Sequence, residues 1–122
     1  MTQPNAPSLR IRIVFGEDAM LGPGKADLLE RIRDTGSIAA AGRSMSMSYK
    51  RAWMLVESMN AAFRDPLVES NRGGAKGGGA HLTETGAEVL ANYRKLEDIM
   101  AEAGAARIGA IQSLLRDIPD GK

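Results

Sequence analysis

Two short amphipathic segments follow one another in the chain, each directly after a serine, and this pairing constrains the fold more than any other feature. Ser37 precedes the alanine-rich segment 38–43, and Ser48 precedes the longer segment 49–63. A serine hydroxyl at this position accepts a hydrogen bond from a free backbone N–H of the first helical turn. The pattern therefore predicts two helices in tandem, joined by a tight turn at Met45–Met47.

The longer of the two predicted helices has a polar side that is basic at its start. At about 100° per residue, its apolar residues share one arc, and we expect Trp53 to pack in the core from this arc. Lys50 and Arg51 lie on the opposite side together with Met54 and Ser58. The arc itself consists of Tyr49, Ala52, Trp53, Val56, Met59, Asn60 and Phe63.

Strand and hairpin signals flank these helices. Residues 9–15 alternate apolar and basic side chains with a period of two, which predicts a half-buried strand. Residues 25–34 predict a further helix that Gly36 ends. After the tandem helices, 67–69 and 80–82 predict two short strands joined by a glycine-rich segment, which is the pattern of a hairpin.

A long helix is predicted after the hairpin, from a Thr83 cap to about Ala103. Its apolar residues recur at spacings of three and four, at Gly86, Val89, Tyr93, Leu96, Met100 and Ala103. At 1.5 Å per residue the helix is roughly 30 Å long, with more apolar surface than a small domain covers by itself. We therefore expect homodimerisation along this helix, through Val89, Tyr93, Leu96 and Met100. A second amphipathic segment, 108–118, follows.

Composition excludes several classes of protein. The chain has 122 residues, no cysteine and a single histidine, His81, so thiolate metal sites, thiol nucleophiles and disulfides are excluded and a catalytic or zinc site is not expected. The first eight residues are polar, so we expect neither a signal segment nor a membrane span. We therefore expect the protein to be cytoplasmic. The net charge of +1 identifies no partner.

Local charge is more informative. Between Arg43 and His81 six Lys or Arg residues stand against three Asp or Glu, whereas acidic residues prevail from Thr83 onward. The predicted fold is mainly α with a small β-hairpin, in the order of a winged helix-turn-helix with a long C-terminal dimerisation helix. The predicted parts are a disordered tail (1–8), the winged helix-turn-helix (9–83), the dimerisation helix with a helical extension (84–118) and a second tail (119–122).

Double-stranded DNA is the ligand that this order favours, with the start of the second tandem helix in the major groove. For the serines, capping of a helix is an alternative to a phosphate contact, and for the hairpin cations simple solvation is the alternative. The predicted DNA-contacting residues are Ser37, Ser46, Ser48, Tyr49, Lys50, Arg51, Arg72 and Lys76.

Several runs of residues also resemble a known family. The runs Gly36-Ser37-Ile38-Ala39-Ala40-Ala41, Met47-Ser48-Tyr49-Lys50-Arg51-Ala52-Trp53 and Leu82-Thr83-Glu84-Thr85-Gly86 resemble the N-terminal DNA-binding domain of the molybdate-responsive ModE regulators. A weaker likeness to the LysR-type domain also exists. The resemblance implies a winged-helix dimer, joined through the N-terminal strand and the long C-terminal helix, that binds operator DNA and regulates molybdenum-related genes.

Family members carry molybdate-binding β-barrel modules after this domain. The residues after Ala103 are too few and too little strand-like to form one, so we expect no cofactor in this chain and leave its effector open. One alternative function is a protein-interaction module that modulates another regulator without specific DNA binding. A metal-dependent nucleic-acid enzyme is a more distant alternative, since the chain hardly supplies the ligands for it.

Overall fold

The computed structural model describes residues 7–71 and 79–116, which form five helices and two small antiparallel sheets. The first sheet pairs two short strands near the N-terminus, and the second is a hairpin between the third and fourth helices. The elements are β1 (Ile13–Val14), β2 (Met20–Leu21), α1 (Pro23–Thr35), α2 (Ile38–Ser44), α3 (Tyr49–Ala62), β3 (Val68–Asn71), β4 (Gly79–Leu82), α4 (Glu84–Ala103) and α5 (Ala105–Gln112).

The core forms where α1, α2 and α3 meet the hairpin and the first half of α4. Helix α1 starts two residues earlier than predicted because Pro23 occupies its first position, where a missing N–H costs nothing. It ends at Gly36, whose φ of 73° is the left-handed conformation that glycine adopts most easily. Fully buried side chains include Ala26, Leu28, Leu29, Ile32, Ala41, Ala52 and Leu67.

The hairpin β3–β4, which we call the wing, is fixed at its base. The Asn60 side chain on α3 accepts hydrogen bonds from the backbone N–H groups of Leu67 and Val68, and its amide donates to the Val68 carbonyl at 3.1 Å. On the other strand, the N–H of Ala80 donates to the carbonyl of Gly36 at the end of α1. Both strands are therefore attached to the helices, which sets the direction of the wing relative to α3.

Helix α4 begins as predicted at a Thr83 cap and ends at Ala103. Gly86 lies so close to the backbone of Leu67 that an added Cβ would be 2.0 Å from the Leu67 carbonyl oxygen. One turn further on, Leu90 is buried, and Tyr93 follows with its hydroxyl donating to the Ile11 carbonyl. The first half of α4 is thus part of the core of this chain.

An ion-pair cluster ties α4 to α1. Burial by itself lowers the pKa of Arg94, but hydrogen bonds to Asp27, Glu97 and Glu30 outweigh it and raise that pKa above its ordinary value. The guanidinium lies 2.8 Å from carboxylate oxygens of Asp27 and Glu30 on α1 and 3.0 Å from Glu97 on α4 itself. A guanidinium suits this position because its planar fork serves several carboxylates at once.

The N-terminal segment differs from the predicted strand. Only Ile13–Val14 is a strand, and it pairs with Met20–Leu21, a strand that the sequence patterns did not reveal. The prediction of one strand over Leu9–Phe15 is therefore wrong for most of its length. Backbone pairing stops at Ile13 because no described residue of this chain provides a neighbouring strand for residues 9–12.

The second amphipathic segment is a shorter helix than predicted. Helix α5 covers Ala105–Gln112, and residues 113–115 form turns and a bend. It buries no residue against this chain, and Leu114 after it is 85% exposed. The end of the predicted segment, residues 117 and 118, lies outside the described residues.

Candidate nucleic-acid interface

The turn between α2 and α3 sets how the two helices cross. A Cβ on Gly42 would lie 2.9 Å from the Ala52 Cβ, so the helices approach more closely than any larger residue allows. The Gly42 carbonyl accepts hydrogen bonds from the N–H groups of Met45 and Met47. Ser46 between them has a φ of 60°, a conformation uncommon for a residue with a side chain, and it is exposed at the tip of the turn.

The other two predicted serines are helix caps. The Ser37 hydroxyl accepts a hydrogen bond from the Ala40 N–H at 3.0 Å, and the Ser48 hydroxyl accepts one from the Arg51 N–H at 3.1 Å. The capping prediction is confirmed for both. Because a hydroxyl accepts through its lone pairs and keeps its proton, each serine can still donate to a phosphate oxygen. Capping and phosphate contact are therefore compatible at these positions.

The first turn of α3 is exposed. Lys50 and Arg51 are both exposed, and Tyr49 is 56% exposed. The side chains of Lys50 and Arg51 make no ion pair with any described residue. Burial in α3 is confined to Ala52, Val56 and Met59. The helix thus presents its N-terminal turn outward with two uncompensated positive charges.

The prediction that Trp53 packs in the core is wrong. Trp53 is 44% exposed, and Tyr49 one turn before it is also exposed. Both lie on one side of the apolar arc, and the core covers its other side, at Ala52, Val56 and Met59. The helical periodicity of apolar residues does not show which part of an arc the core covers. The surface of α3 therefore carries two aromatic rings beside its basic turn.

On the wing side of α3 there is a groove of about 320 Å³. It brings Ser37 and Tyr49, two of the predicted contact residues, together with Ser70 and Asn71 at the end of β3. Asn71 and Ser70 were not predicted, because they were assigned to a loop whose orientation the sequence does not determine. The groove thus separates the first turn of α3 from the wing and has a polar lining.

A second groove, of about 250 Å³, lies on the opposite side of α3. Arg12 from the N-terminal segment and Lys25 from α1 join Arg51 around it, over a floor that includes Met47 and Leu55. The Lys25 ammonium donates to the Met20 carbonyl at 3.0 Å. The sequence patterns did not bring these three cations together, since they lie on three separate segments.

The described residues of the wing include a close pair of titratable groups. Nε2 of His81 on β4 lies 3.5 Å from the Glu69 carboxylate on β3, directly across the strand register. Both side chains are about half exposed, so the pair lies on the surface of the hairpin. The predicted contacts Arg72 and Lys76 lie outside the described residues.

The residues predicted as dimer contacts fall into two groups. Val89 and Leu96 are half-buried and line an apolar groove with Phe15, and Met100 is 43% exposed. Tyr93, in contrast, is 2% exposed. It packs within its own chain and only borders the same groove, so its part in the seam stays a prediction.

Within the described ranges, no group of three or more His, Asp or Glu side chains is placed to hold a metal ion. The same part of the chain contains no helix with both the length and the apolar character needed to span a membrane.

The tandem helices, the close turn and the attached hairpin together define a winged helix-turn-helix protein. A family model described as "Bacterial regulatory helix-turn-helix protein, lysR family" matches residues 25–87. This match extends from α1 through the wing to the start of α4 and covers slightly more than half of the chain. The chain belongs to this family.

Curated relatives refine the resemblance. The chain is 38% identical over 93 residues to the molybdenum-pterin-binding protein MopA of Rhodobacter capsulatus, covering 76% of this chain and 35% of that protein. It is 37% identical over 81 residues to the DNA-binding transcriptional dual regulator ModE of Escherichia coli, covering 66% of this chain and 31% of that protein. The chain thus spans about a third of the length of these relatives, and its resemblance to the N-terminal part of ModE proteins is confirmed.

A solved structure supports the fold. Full-length LTTR LysG from Corynebacterium glutamicum, with bound effector Arg, matches with a TM-score of 0.55 at 24% identity. The match covers 77% of this chain and 30% of that one. The predicted fold class, mainly helical with a winged helix-turn-helix, is confirmed.

Proposed function

We propose that this chain is a DNA-binding transcriptional regulator that places the first turn of α3 in the major groove of its operator. The observation that carries the proposal is the exposed turn at Tyr49–Arg51, with two cations that no described carboxylate neutralises. In a helix-turn-helix, residues at this end of the second helix reach base edges. Membership of the lysR family of regulatory proteins supports the same function.

Contacts to the DNA backbone are proposed on both sides of this turn. Ser37 and Ser48 would donate to phosphate oxygens while they cap their helices, and Ser46 is exposed at the turn itself. Arg72 and Lys76 in the wing are proposed to contact a flanking backbone or the minor groove.

We further propose that the regulator is a homodimer. Apolar side chains of β1 and α4 lie at the surface beside a groove of about 380 Å³, which Phe15, Val89 and Leu96 line in part. Ile99 and Met100 continue this apolar surface along α4, each at least two-fifths exposed. A second copy that covers it would create a two-fold axis, and a two-fold symmetric reader requires a palindromic operator.

The regulated genes are proposed to be molybdenum-related, because the names of several relatives refer to molybdenum or to ModE. The proposal places the protein in the cytoplasm, where the DNA is. It assigns no catalytic role and no effector to this chain.

The experiment that tests this function is selection of genomic fragments by the purified protein, followed by titration of the selected sequence against a scrambled duplex. We expect a palindrome that binds at least about a thousandfold more tightly than scrambled DNA. Lys50→Ala should weaken operator binding by about 1 to 3 kcal/mol and reduce the preference over scrambled DNA, and Arg51→Ala should weaken operator binding by a similar amount.

A charge-matched control is Arg107→Ala on α5, which removes one exposed cation away from α3. It should leave the ratio of the two affinities unchanged. Equal, weak binding of both duplexes by the unmodified protein would contradict the proposal and favour the protein-interaction module. Titrations with and without molybdate would show whether the chain itself senses that anion.

A further inference from the structure

The groove formed by Arg12, Lys25 and Arg51 has a composition that calls for an anionic ligand. Three cations surround it, and no described residue that lines it is acidic. None of the three makes an ion pair with a described residue. Lys25 uses one of its three donor protons on the Met20 carbonyl and keeps two. Such a concentration of uncompensated charge attracts a phosphate-bearing partner.

The position of the groove relative to α3 identifies that partner. Tyr49 and Arg51 are two residues apart, so their side chains leave the helix about 200° apart. Tyr49 lies at the wing-side groove, and Arg51 therefore lies at the opposite flank. An α-helix with its side chains is about 10 to 12 Å wide, and the major groove is about 12 Å wide. A helix seated there has one phosphate backbone on each flank.

From this geometry we propose that Arg12, Lys25 and Arg51 form a binding site for the sugar-phosphate backbone of one operator strand, on the flank of α3 that faces away from the wing. This inference rests on the proposed function. The cations would contact phosphate oxygens, while Met47 and Leu55 in the floor would face the apolar edge of deoxyribose. The wing-side groove then serves the other strand, so α3 is held from both sides.

Arg12 is suited to this role by its local environment. Its side chain passes over Gly22, where an added Cβ would lie 3.7 Å from Cγ of Arg12. This is an ordinary van der Waals distance, so the Arg12 stem packs against the start of α1, and the guanidinium extends from a supported position. Because backbone contacts carry no sequence information, the site should add affinity and salt dependence without adding base discrimination.

The test compares a double variant, Arg12→Ala with Lys25→Ala, with a charge-matched double control, Lys95→Ala with Arg107→Ala. Operator affinity is measured as a function of salt concentration. We expect the test variant to bind the operator roughly tenfold more weakly, with a salt slope reduced by about one to two per protomer. The preference for operator over scrambled DNA should stay within about twofold of the unmodified protein. The control should keep its slope.

A second measurement locates the contact on one strand. Operator phosphates are replaced one at a time by neutral methylphosphonates. Replacements on one strand beside the half-site should weaken binding of the unmodified protein more than that of the double variant, which keeps only Arg51 in the site. Arg12→Ala alone is included because Arg12 makes no hydrogen bond among the described residues, whereas Lys25→Ala also removes the bond to Met20. Restored affinity in the pair Arg12→Lys with Lys25→Arg would support a charge-based contact.

Unchanged salt slopes in both Arg12→Ala and the double variant would overturn the inference. If Lys50→Ala still reduced sequence preference in that case, the proposed function would stand and only this site would be lost. Absence of any sequence preference in the unmodified protein would instead contradict the proposed function itself.

Discussion

The two halves of α4 differ in what surrounds them, although one apolar spacing runs through both. Up to Arg94 the helix is packed against the rest of the chain, and we call this part the locked half. Gly86 contacts the backbone at Leu67, Tyr93 is buried, and Arg94 forms ion pairs with α1. Beyond this point Ile99 is 50% exposed, and α5 after it buries nothing against the chain. The first half belongs to the fold, and the second half offers an apolar surface.

With the proposed homodimer, this difference gives the heptad-like spacing two separate causes in one helix. Gly86 and Tyr93 recur because the helix packs on its own wing and N-terminal segment, and this requirement is met within one chain. Leu96 and Met100 continue the spacing where this chain covers them only in part. Substitutions in the first half should therefore change the free energy of unfolding, whereas those in the second half should change association.

The largest expected effect is on Gly86→Ala. The added Cβ would be 2.0 Å from the Leu67 carbonyl oxygen, and this neighbour is backbone that cannot rotate away. Either α4 or the strand that starts at Val68 must move, so we expect a loss of about 3 kcal/mol in the free energy of unfolding. Urea denaturation followed by circular dichroism measures it.

The matched control is the same change in the exposed region, Gly109→Ala in the middle of α5. Nothing lies within 4 Å of an added Cβ there, and alanine is the better helix former, so α5 should gain about 0.5 to 1 kcal/mol. A similar effect of both substitutions would show that the two regions are packed alike, which would remove the basis of the comparison.

The second effect concerns association. Leu96→Asp places a carboxylate on the apolar surface beside Val89, and burying it against a second copy without a partner charge is costly. We expect the dimer dissociation constant to rise about a hundredfold, equivalent to roughly 2.7 kcal/mol, by sedimentation velocity over a concentration series. Ala91→Asp is the control, since it puts the same charge about 140° around the helix at an exposed position.

If Leu96→Asp dimerised as tightly as the unmodified protein, the interface would lie elsewhere on the chain. If Leu96→Asp lost its cooperative urea transition while Ala91→Asp kept it, Leu96 would belong to the first, packed half of α4. Either result would move the boundary that Arg94 marks in the present comparison.

Much of the architecture was predictable because local signals determine it. Ser37, Ser48 and Thr83 each begin a helix where predicted, and each hydroxyl accepts the expected backbone hydrogen bond. Gly36 ends α1 for an equally local reason, its left-handed φ. Helix boundaries of this kind depend on a few neighbouring residues, so a single sequence contains the necessary information.

What the sequence did not predict depends on contacts between distant segments. Trp53 was assigned to the core because it lies in the apolar arc, but the arc is wider than the surface that α1 and α2 cover. The cationic groove joins Arg12, Lys25 and Arg51 from three segments, and no spacing rule relates them. The packing of Tyr93 within its own chain was not predicted for the same reason, since its partner, the Ile11 carbonyl, is 82 residues away in sequence.

The smallest expected effect, on Tyr93→Phe, tests whether the locked half extends to the N-terminal segment. The substitution removes the hydrogen bond from the phenol to the Ile11 carbonyl and keeps the ring, so we expect a loss of about 1 kcal/mol. Tyr49→Phe, at an exposed ring, should change stability by less than about 0.5 kcal/mol. Equal effects of the two substitutions would mean that the hydroxyl of Tyr93 does not anchor residue 11.

The same pair of variants gives a pH test. Burial raises the pKa of Tyr93, and the nearby Glu97 carboxylate adds to the rise, so the folded state favours the neutral phenol more than the unfolded chain does. The resulting stability is fully present below the unfolded pKa of about 10 and is lost as pH rises through the folded pKa.

Because the chain has two tyrosines, the Tyr49→Phe variant contains only this phenol. Its phenolate, followed by ultraviolet absorbance, should form at a higher pH than the phenolate of free tyrosine. Its free energy of unfolding should fall as the pH rises through the alkaline range, whereas that of Tyr93→Phe should change less. A phenol that titrated like free tyrosine would place Tyr93 outside the core.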